Sequence, residues 1–245
     1  MTVSAPETDT LSLVRVIWNR GLGSRTQIRR LIEAGRVRVN DTIIRRPGFS
    51  VNPTRDRIEV QGRSLVEVGP HLYLALHKPR GVISNRRGPG EVTVFDILPE
   101  LPRWVFPVGR LDKDTSGLML MTSDGRWAER VAHPDFGVVR EYIADLEEPV
   151  DHEALRGLRL GVPLGPGVVS QPAEVDALSE RRLRLRIREG KRHQVRKMVR
   201  AAGGILAGLR RTAIGPVQLG ALGASELRYL TPLERDAFLS TPLTA

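Results

Sequence analysis

The spacing of short apolar runs after residue 72 limits the fold more than any other feature of the sequence. Runs of strand length occur at irregular intervals, and helical patterns lie between some of them, over 127–132, 153–159 and 192–202. Strict alternation of strand and helix would predict a parallel sheet, whereas this irregular order favours pairing between neighbouring strands. We therefore predict an α+β fold with a mixed, largely antiparallel sheet. The runs are YLALHKP, GLMLMT, REYIADL, LRLRIREG and LRYLT.

Residues 11–68 show a different and more compact pattern. The stretch LVRVIWNRGLGSRTQIRRLIEAGRVRVN is typical of helix, turn, helix, turn and strand. Ser24 and Gln27 have the spacing of a capping box, in which two side chains satisfy the free N–H groups at a helix start. Asn40-Asp41, between RVRV and TIIR, predicts a two-residue hairpin turn. DRIEVQG adds a third strand.

The length of the chain favours two domains, because 245 residues exceed the usual size of one. We predict a disordered N-terminus over 1–10, a small domain over 11–68 and a larger domain over 72–245. The joining segment is EVGPH, around Pro70.

Several classes of protein are disfavoured by composition. The chain has no cysteine, which excludes disulfides, thiolate metal sites and thiol catalysis. Its five histidines show no ligand spacing, so no metal site is predicted. No apolar run approaches the roughly 20 residues of a membrane span, and MTVSAPETDT lacks the features of a secretion signal. We expect a cytoplasmic protein with no membrane partner.

The net charge of +10 is concentrated in two clusters. Residues 15–63 hold 12 arginines against 4 acidic residues, a net +8. Residues 181–211 hold 12 arginines or lysines against one acidic residue, a net +11, and the rest of the chain is acidic. Two basic clusters on an acidic background predict two contact surfaces for a polyanion.

The stretch GRLDKDTSGLMLMTSDG raises the question of what Asp112 does beside Arg110. The letters DKDTSG match the opening of a calcium loop, but Ser123 stands at the twelfth position where a calcium loop needs a bidentate glutamate. A phosphatase of the D-x-D type is disfavoured, since its aspartates follow a strand and these precede one. A nucleophile, a general base and a loop carboxylate paired with arginine remain open.

Five motifs follow one another in the second domain: HKPRGVIS, VGRLDKDTSGLMLMTSDG, HPDFGVVREYIADL, EGKRHQVRKM and LRRTAIGPVQLG. In this order they resemble the pseudouridine synthases of the RsuA/RluB type, which isomerise uridine to pseudouridine within ribosomal RNA. Residues 11–68, through SR…IRRLIEAGRVRVND and PGFSV…DRIEVQG, resemble the alpha-L RNA-binding module named from a ribosomal protein.

The resemblance implies a mechanism without a cofactor or metal, because moving the glycosidic bond from nitrogen to carbon consumes no electrons and no net proton. By the same match, Asp112 is the nucleophile acting on a flipped-out base. Tyr142 is the aromatic residue that stacks on the base, and Arg196 is the basic residue that pairs with Asp112 and orients it.

The remaining expected site residues bind RNA. Arg110 is expected to reach into the RNA near the gap left by the base. Ribosomal RNA or a pre-ribosomal particle is the expected partner, with a weak preference for the large subunit, and the protein is expected to act as a monomer. The other predicted RNA contacts are Lys78, Arg80, His193, Gln194, Arg25, Arg29 and Arg30.

Two other functions compete with this interpretation. The first is a non-catalytic RNA-binding factor for ribosome assembly with the same fold. The second is a magnesium-dependent RNA phosphatase or nuclease that uses Asp112 and Asp114, whose activity would be lost in excess EDTA.

Overall fold

The computed structural model describes residues 10–65, 70–84 and 90–240. Apart from Thr10, the predicted disordered N-terminus lies outside the described residues, as do most of the predicted linker and the last five residues of the larger domain. In the described part of the chain, no helix has both the length and the apolar character needed to cross a membrane.

The helices lie close to the predicted positions. Those predicted over 127–132 and 153–159 fall inside α3 and α4, whereas the one predicted over 192–202 begins two residues later. The helices are α1 (Leu13–Asn19), α2 (Arg25–Glu33), α3 (Gly125–Ala132), α4 (His152–Leu160), α5 (Gln194–Ala201) and α6 (Pro232–Ala237).

The strands include short ones that the sequence pattern did not reveal, such as β1, which pairs with β4. They are β1 (Leu11–Ser12), β2 (Val37–Val39), β3 (Thr42–Ile43), β4 (Ser50–Val51), β5 (Ile58–Val60), β6 (Arg63–Ser64), β7 (Tyr73–Lys78), β8 (Phe106–Val108), β9 (Ser116–Thr122), β10 (Arg140–Leu146), β11 (Pro163–Gly165), β12 (Val168–Val169), β13 (Glu174–Ser179), β14 (Arg182–Ile187), β15 (Leu206–Ile214), β16 (Val217–Gln218) and β17 (Leu227–Tyr229).

The chain forms two compact units. Among the described residues, the first unit contains those up to Leu72 together with two later segments, Leu101–Phe106 and Thr122–Arg126, and the second unit contains the others. The predicted boundaries at 68 and 72 stay predictions. No pattern in the sequence indicated that the two later segments pack with the first unit.

The first unit is built on α1, α2 and a sheet with the order β3-β2-β5-β6. The predicted capping box is present: the Gln27 N–H donates to Ser24 Oγ, and the Ser24 N–H donates to Gln27 Oε1. The hairpin turn between β2 and β3 is also as predicted, because Asn40 and Asp41 both adopt positive φ angles, of 48° and 69°. Ile28 and Ile32 of α2 are fully buried in the core of this unit.

The second unit contains the predicted mixed sheet, with the order β13-β14-β10-β15-β9-β7-β17. Strand β10 pairs antiparallel with β14 and β15, and β17 pairs antiparallel with β7, whereas β9 lies parallel to β15. Strand β9 lies inside the sheet, and its apolar residues 118–121 are fully buried on both faces. A strand buried on both faces can be apolar at every position, whereas a strand with one exposed face alternates apolar and polar residues. The α+β fold with a largely antiparallel sheet is confirmed.

Candidate active site

Asp112 lies in the turn that leads into β9. The Thr115 N–H donates to the Asp112 carbonyl at 3.1 Å, and the strand begins at Ser116. The turn therefore places the carboxylate four residues before a rigid, buried strand. Its side chain is 31% exposed and faces a cavity of about 420 Å³.

The HKPRGVIS motif holds this turn in place from behind. Ser84 Oγ donates to the Leu111 carbonyl at 2.6 Å and accepts from the Leu111 N–H at 2.9 Å. The Gly81 N–H donates to the Lys113 carbonyl at 2.8 Å. The residues on either side of Asp112 are thus fixed to the segment that follows β7, which limits how far the carboxylate can move.

Lys78 belongs to the same support, and the prediction that it binds RNA is wrong. Its side chain is fully buried, and its ammonium donates to the carbonyls of Val82 at 2.6 Å, Pro79 at 2.9 Å and Lys113 at 3.4 Å. A buried ammonium with three carbonyl partners cannot also reach a phosphate. Burial, together with the positive charge of Arg211, lowers the pKa of Lys78 to about 8, and the negative charges of Asp112 and Asp114 oppose the shift.

Both oxygens of the Asp112 carboxylate face a nitrogen-bearing side chain. Oδ2 lies 3.6 Å from Arg196 Nε, and Oδ1 lies 3.5 Å from His193 Nε2. Arg196 Nη2 also donates to Thr115 Oγ1 at 3.2 Å, which fixes the guanidinium to the turn that carries the carboxylate. The structure thus brings Asp112 and Arg196 together as expected.

His193 lies in the loop before α5, Arg196 lies in the first turn of the helix, and hydrogen bonds of neighbouring side chains hold this segment in place. His193 adopts a positive φ of 54°, so α5 begins only at Gln194, which explains why the helix is shorter than predicted. Buried Glu189 accepts from the Gln194 side chain and from the Gln171 N–H, and it pairs with Lys191 Nζ at 2.8 Å.

This network corrects a second RNA-binding prediction. Gln194 is buried, its amide nitrogen donates to Glu189, and its Oε1 accepts from the Lys191 N–H at 2.9 Å. The amide nitrogen and the amide oxygen of Gln194 thus both form hydrogen bonds within the protein. Gln194 therefore braces the loop that carries His193 and does not have a free group to offer to RNA.

Alternate residues of two adjacent strands line the cavity opposite the aspartate turn. Tyr142 of β10, only 8% exposed, stands next to Arg211 of β15 in the register of the pair. Arg140 and Leu209, two residues away on the same strands, line the cavity as well. Because strand side chains alternate between faces, these residues share one face of the sheet.

Apart from the buried Lys78, the predicted site residues divide into three groups by position. Those that line the cavity are Asp112, Tyr142, Arg196, Arg110, His193 and Gln194. Arg80 is exposed and is not among the residues around the cavity. The remaining arginines are exposed on α2 of the first unit; they are Arg25, Arg29 and Arg30.

Four basic residues around the cavity were not predicted as site residues from the sequence: Arg140, Lys191, Arg192 and Arg211. A signal existed for two of them, since Arg140 lies two places before Tyr142 and Arg211 two places after Leu209, on apolar strands. An arginine at an inward-facing strand position is rare enough to mark a functional site.

The second basic cluster is narrower as a contact surface than its charge suggests. The arginines of β14 pair with carboxylates on neighbouring strands: Arg182 with Asp145 at 2.6 Å, and Arg184 with Asp176 at 2.7 Å. Arg186 pairs in the same way with Glu141 and Glu174. Part of the +11 is therefore balanced by carboxylates of neighbouring strands, and four of the twelve basic residues line the cavity.

Metal ligands do not gather anywhere in the described residues. No group of three or more His, Asp or Glu side chains there is placed to hold a metal ion. The expectation of a reaction without metal or cofactor stays a prediction.

Two family models match the chain. The model described as RNA pseudouridylate synthase matches residues 72–201, and the model of the S4 domain matches residues 12–58. The second is the alpha-L module expected from the sequence.

Individual proteins resemble the chain over most of its length. The ribosomal large subunit pseudouridine synthase B of Bacillus subtilis is 36% identical and covers 91% of this chain and 93% of that protein. The ribosomal small subunit pseudouridine synthase A of Vibrio cholerae is 34% identical, with coverage of 86% and 92%. The crystal structure of a pseudouridylate synthase is 29% identical with a TM-score of 0.68, and it covers 93% of this chain and 99% of that one. The resemblance expected from the five motifs is confirmed, and the chain belongs to the RNA pseudouridylate synthase family.

Proposed function

We propose that this protein isomerises a uridine of ribosomal RNA to pseudouridine, with the Asp112 carboxylate as nucleophile. The observation that carries the proposal is the position of Asp112, which faces the same cavity as Tyr142 with its two oxygens directed at His193 and Arg196. In the reaction the bond from ribose C1′ to N1 breaks and a bond from C1′ to C5 forms. The proton lost from C5 is balanced by one gained at N1, so no oxidant or reductant is required.

The size of the cavity supports a flipped-out base as the substrate. About 420 Å³ is in the range of sites for one small molecule and cannot admit a base that stays stacked in a helix. Extrusion of a base costs a few kcal/mol. Stacking on an aromatic face can return about 1–3 kcal/mol, and we propose that Tyr142 provides that face.

The contacts around Asp112 position its carboxylate for nucleophilic attack. The turn is fixed from behind by Ser84 and Gly81, and the guanidinium of Arg196 holds both the turn and the carboxylate. A positioned nucleophile needs little rearrangement to reach an electrophilic carbon of the nucleotide. Arg110, exposed at the cavity, is proposed to contact the RNA beside the extruded base.

Ribosomal RNA is proposed as the substrate because the named relatives act on ribosomal subunits, and large-subunit RNA is the first to test. We further propose that the protein acts as a monomer in the cytoplasm, where ribosomes are assembled in bacteria. The test is a map of pseudouridines in ribosomal RNA from cells with and without the gene. One position should lose its pseudouridine and regain it with the wild-type gene. A factor for assembly alone would leave the map unchanged while subunit assembly is impaired.

The exposed arginines of α2 are proposed to bind RNA phosphates. Replacing Arg25, Arg29 and Arg30 together by glutamine should weaken RNA binding and make it less sensitive to salt. Three lost phosphate contacts lower the slope of log affinity against log salt by about 2 to 3. The measurement is a binding titration on a ribosomal RNA transcript at several salt concentrations.

The matched control replaces the same three arginines by lysine. Charge is then retained, and the salt slope should stay near that of the wild type. Because Arg25 lies 4.3 Å above the Trp18 ring, a melting curve is needed for each variant to separate binding from stability. An unchanged slope in the glutamine variant would show that RNA binds to another face.

A further inference from the structure

The floor of the cavity contains a buried cation whose hydrogen bonds are incomplete. Arg211 is 2% exposed, and its Nε–H donates to the Leu118 carbonyl at 2.7 Å. Its Nη1 lies 3.5 Å from the hydroxyl oxygen of Tyr142. Nη2 is buried and has no hydrogen-bond partner among the described residues. A buried guanidinium N–H without an acceptor is unfavourable, so the position indicates a function in binding.

The charged groups near Arg211 do not supply the missing acceptor. Burial lowers the pKa of Arg140, and the positive charge of Arg211 lowers it further; Arg211 acts in the same direction on Lys78. Both neighbours are cations, which have no lone pair to offer. The carboxylate of Asp112 lines the same cavity, but its oxygens face His193 and Arg196. An acceptor that enters the cavity would complete the hydrogen bonds of Arg211.

The position of Arg211 favours a base over a phosphate as the source of that acceptor. Arg211 lies on the floor beside Tyr142, with its guanidinium carbon 6.0 Å from the centre of the tyrosine ring. A base stacked on that ring brings its edge atoms close to the guanidinium, whereas its phosphates stay with the RNA backbone at the mouth of the cavity. Uracil has two carbonyl oxygens, O2 and O4, and either one can accept a hydrogen bond from an N–H group.

We propose that Arg211 recognises the flipped-out uracil by donating an N–H from Nη2 to one of its ring carbonyls. The contact of Nη1 with the Tyr142 hydroxyl supports this role, because it places the guanidinium beside the ring on which the base stacks. This inference rests on the proposed function, since it takes uracil as the ligand.

The experiment combines protein variants with single-atom changes in the RNA. The substrate is a ribosomal RNA transcript that the wild type modifies, with uridine, 2-thiouridine or 4-thiouridine at the modified position. Sulfur is a weaker hydrogen-bond acceptor than oxygen. The variants are Arg211→Met and, as a matched control, Arg210→Met, whose arginine is exposed on the opposite face of the same strand. Product is measured by chromatography of the nucleosides, and each protein by a melting curve.

At one of the two positions, sulfur should lower kcat/KM of the wild type by about 10- to 100-fold, as expected for a lost hydrogen bond to a charged donor. Arg211→Met should be slower on uridine and nearly indifferent to that sulfur, because the donor is already gone. Arg210→Met should behave as the wild type. A purely structural role for Arg211 predicts the same sulfur effect in every folded variant.

Three outcomes overturn the inference in different ways. If the wild type modifies uridine and both thiouridines equally well, no donor reads a carbonyl and the recognition role is wrong, whether or not Arg211→Met folds. Equal sulfur effects in the wild type and Arg211→Met would also assign the contact to another residue. If the wild type forms no pseudouridine in any ribosomal RNA, the proposed function fails and this inference fails with it.

Discussion

Asp112→Asn is expected to abolish pseudouridine formation while the fold and RNA binding persist. Asparagine keeps the shape of the side chain but removes the anionic oxygen that attacks the nucleotide. Loss of a covalent nucleophile lowers turnover by roughly ten-thousand-fold or more. The contacts of Asp112 with His193 and Arg196 are long, at 3.5 and 3.6 Å, and partly exposed, so their loss should change stability by less than about 1 kcal/mol.

RNA affinity should stay constant or rise in Asp112→Asn, because a negative charge that faces the substrate has been removed. The measurement is tritium release from carbon-5-labelled uridine in ribosomal RNA, together with a melting curve and a binding titration. The matched control is Asp114→Asn, an exposed aspartate in the same turn, which should remain near wild-type activity.

Three results would separate the competing interpretations of Asp112. Rescue of Asp112→Asn by added divalent ions would support a metal ligand. A large fall in melting temperature, with activity retained by the folded fraction, would support a structural carboxylate. A folded, RNA-binding Asp112→Asn protein that still forms pseudouridine near the native rate would contradict the nucleophile directly.

Local features of the fold were predictable because their causes are local. The capping box of Ser24 and Gln27 and the hairpin turn at Asn40-Asp41 depend on residues within a few positions of one another. The strands of the second unit were predictable for a similar reason, since β10 and β14 alternate between buried and more exposed positions. The apolar run GLMLMT was predicted as a strand, and the structure places it inside the sheet as β9.

The role of Lys78 was not predictable, because its three acceptors come together only in the folded chain. Two of them lie within four residues of the lysine, but the third is the carbonyl of Lys113, from the aspartate turn. A lysine beside proline and glycine is typical of an exposed loop. Gln194 was misassigned for a similar reason, since its partner Glu189 becomes adjacent only through the irregular backbone at His193.

The net charge of the second basic cluster does not by itself give the charge that is available to a partner. Arg182 and Arg184 find their carboxylates on β10 and β13, which a linear count of charge cannot show. Arg211 belongs to the same cluster in the sequence, but its side chain is buried beside Tyr142. The pairing of β10 with β15 places Arg211 next to Tyr142.

Gly117→Ala is expected to destabilise the protein strongly, by about 4 kcal/mol. Gly117 is the glycine of the TSG sequence after Asp112, and it pairs with Arg211 where β9 runs parallel to β15. Its φ angle is +110°, which side chains rarely adopt, and a Cβ there would lie 2.2 Å from the Arg211 carbonyl oxygen and 2.6 Å from its nitrogen. Both neighbours are backbone atoms of a central strand, so neither can move aside without displacing the sheet.

The matched control for Gly117→Ala is Gly203→Ala. Gly203 also has a positive φ, of +76°, but a Cβ there meets nothing within 4 Å, so only the backbone cost of about 1–2 kcal/mol applies. For 4 kcal/mol, the melting temperature of Gly117→Ala should fall by roughly 8–16 °C, and Gly203→Ala by clearly less. Because the same contact places Arg211 on the cavity floor, the folded fraction of Gly117→Ala should also turn over more slowly. Equal melting temperatures for the two variants would show that β9 and β15 can move apart at little energetic cost, which would contradict the predicted clash.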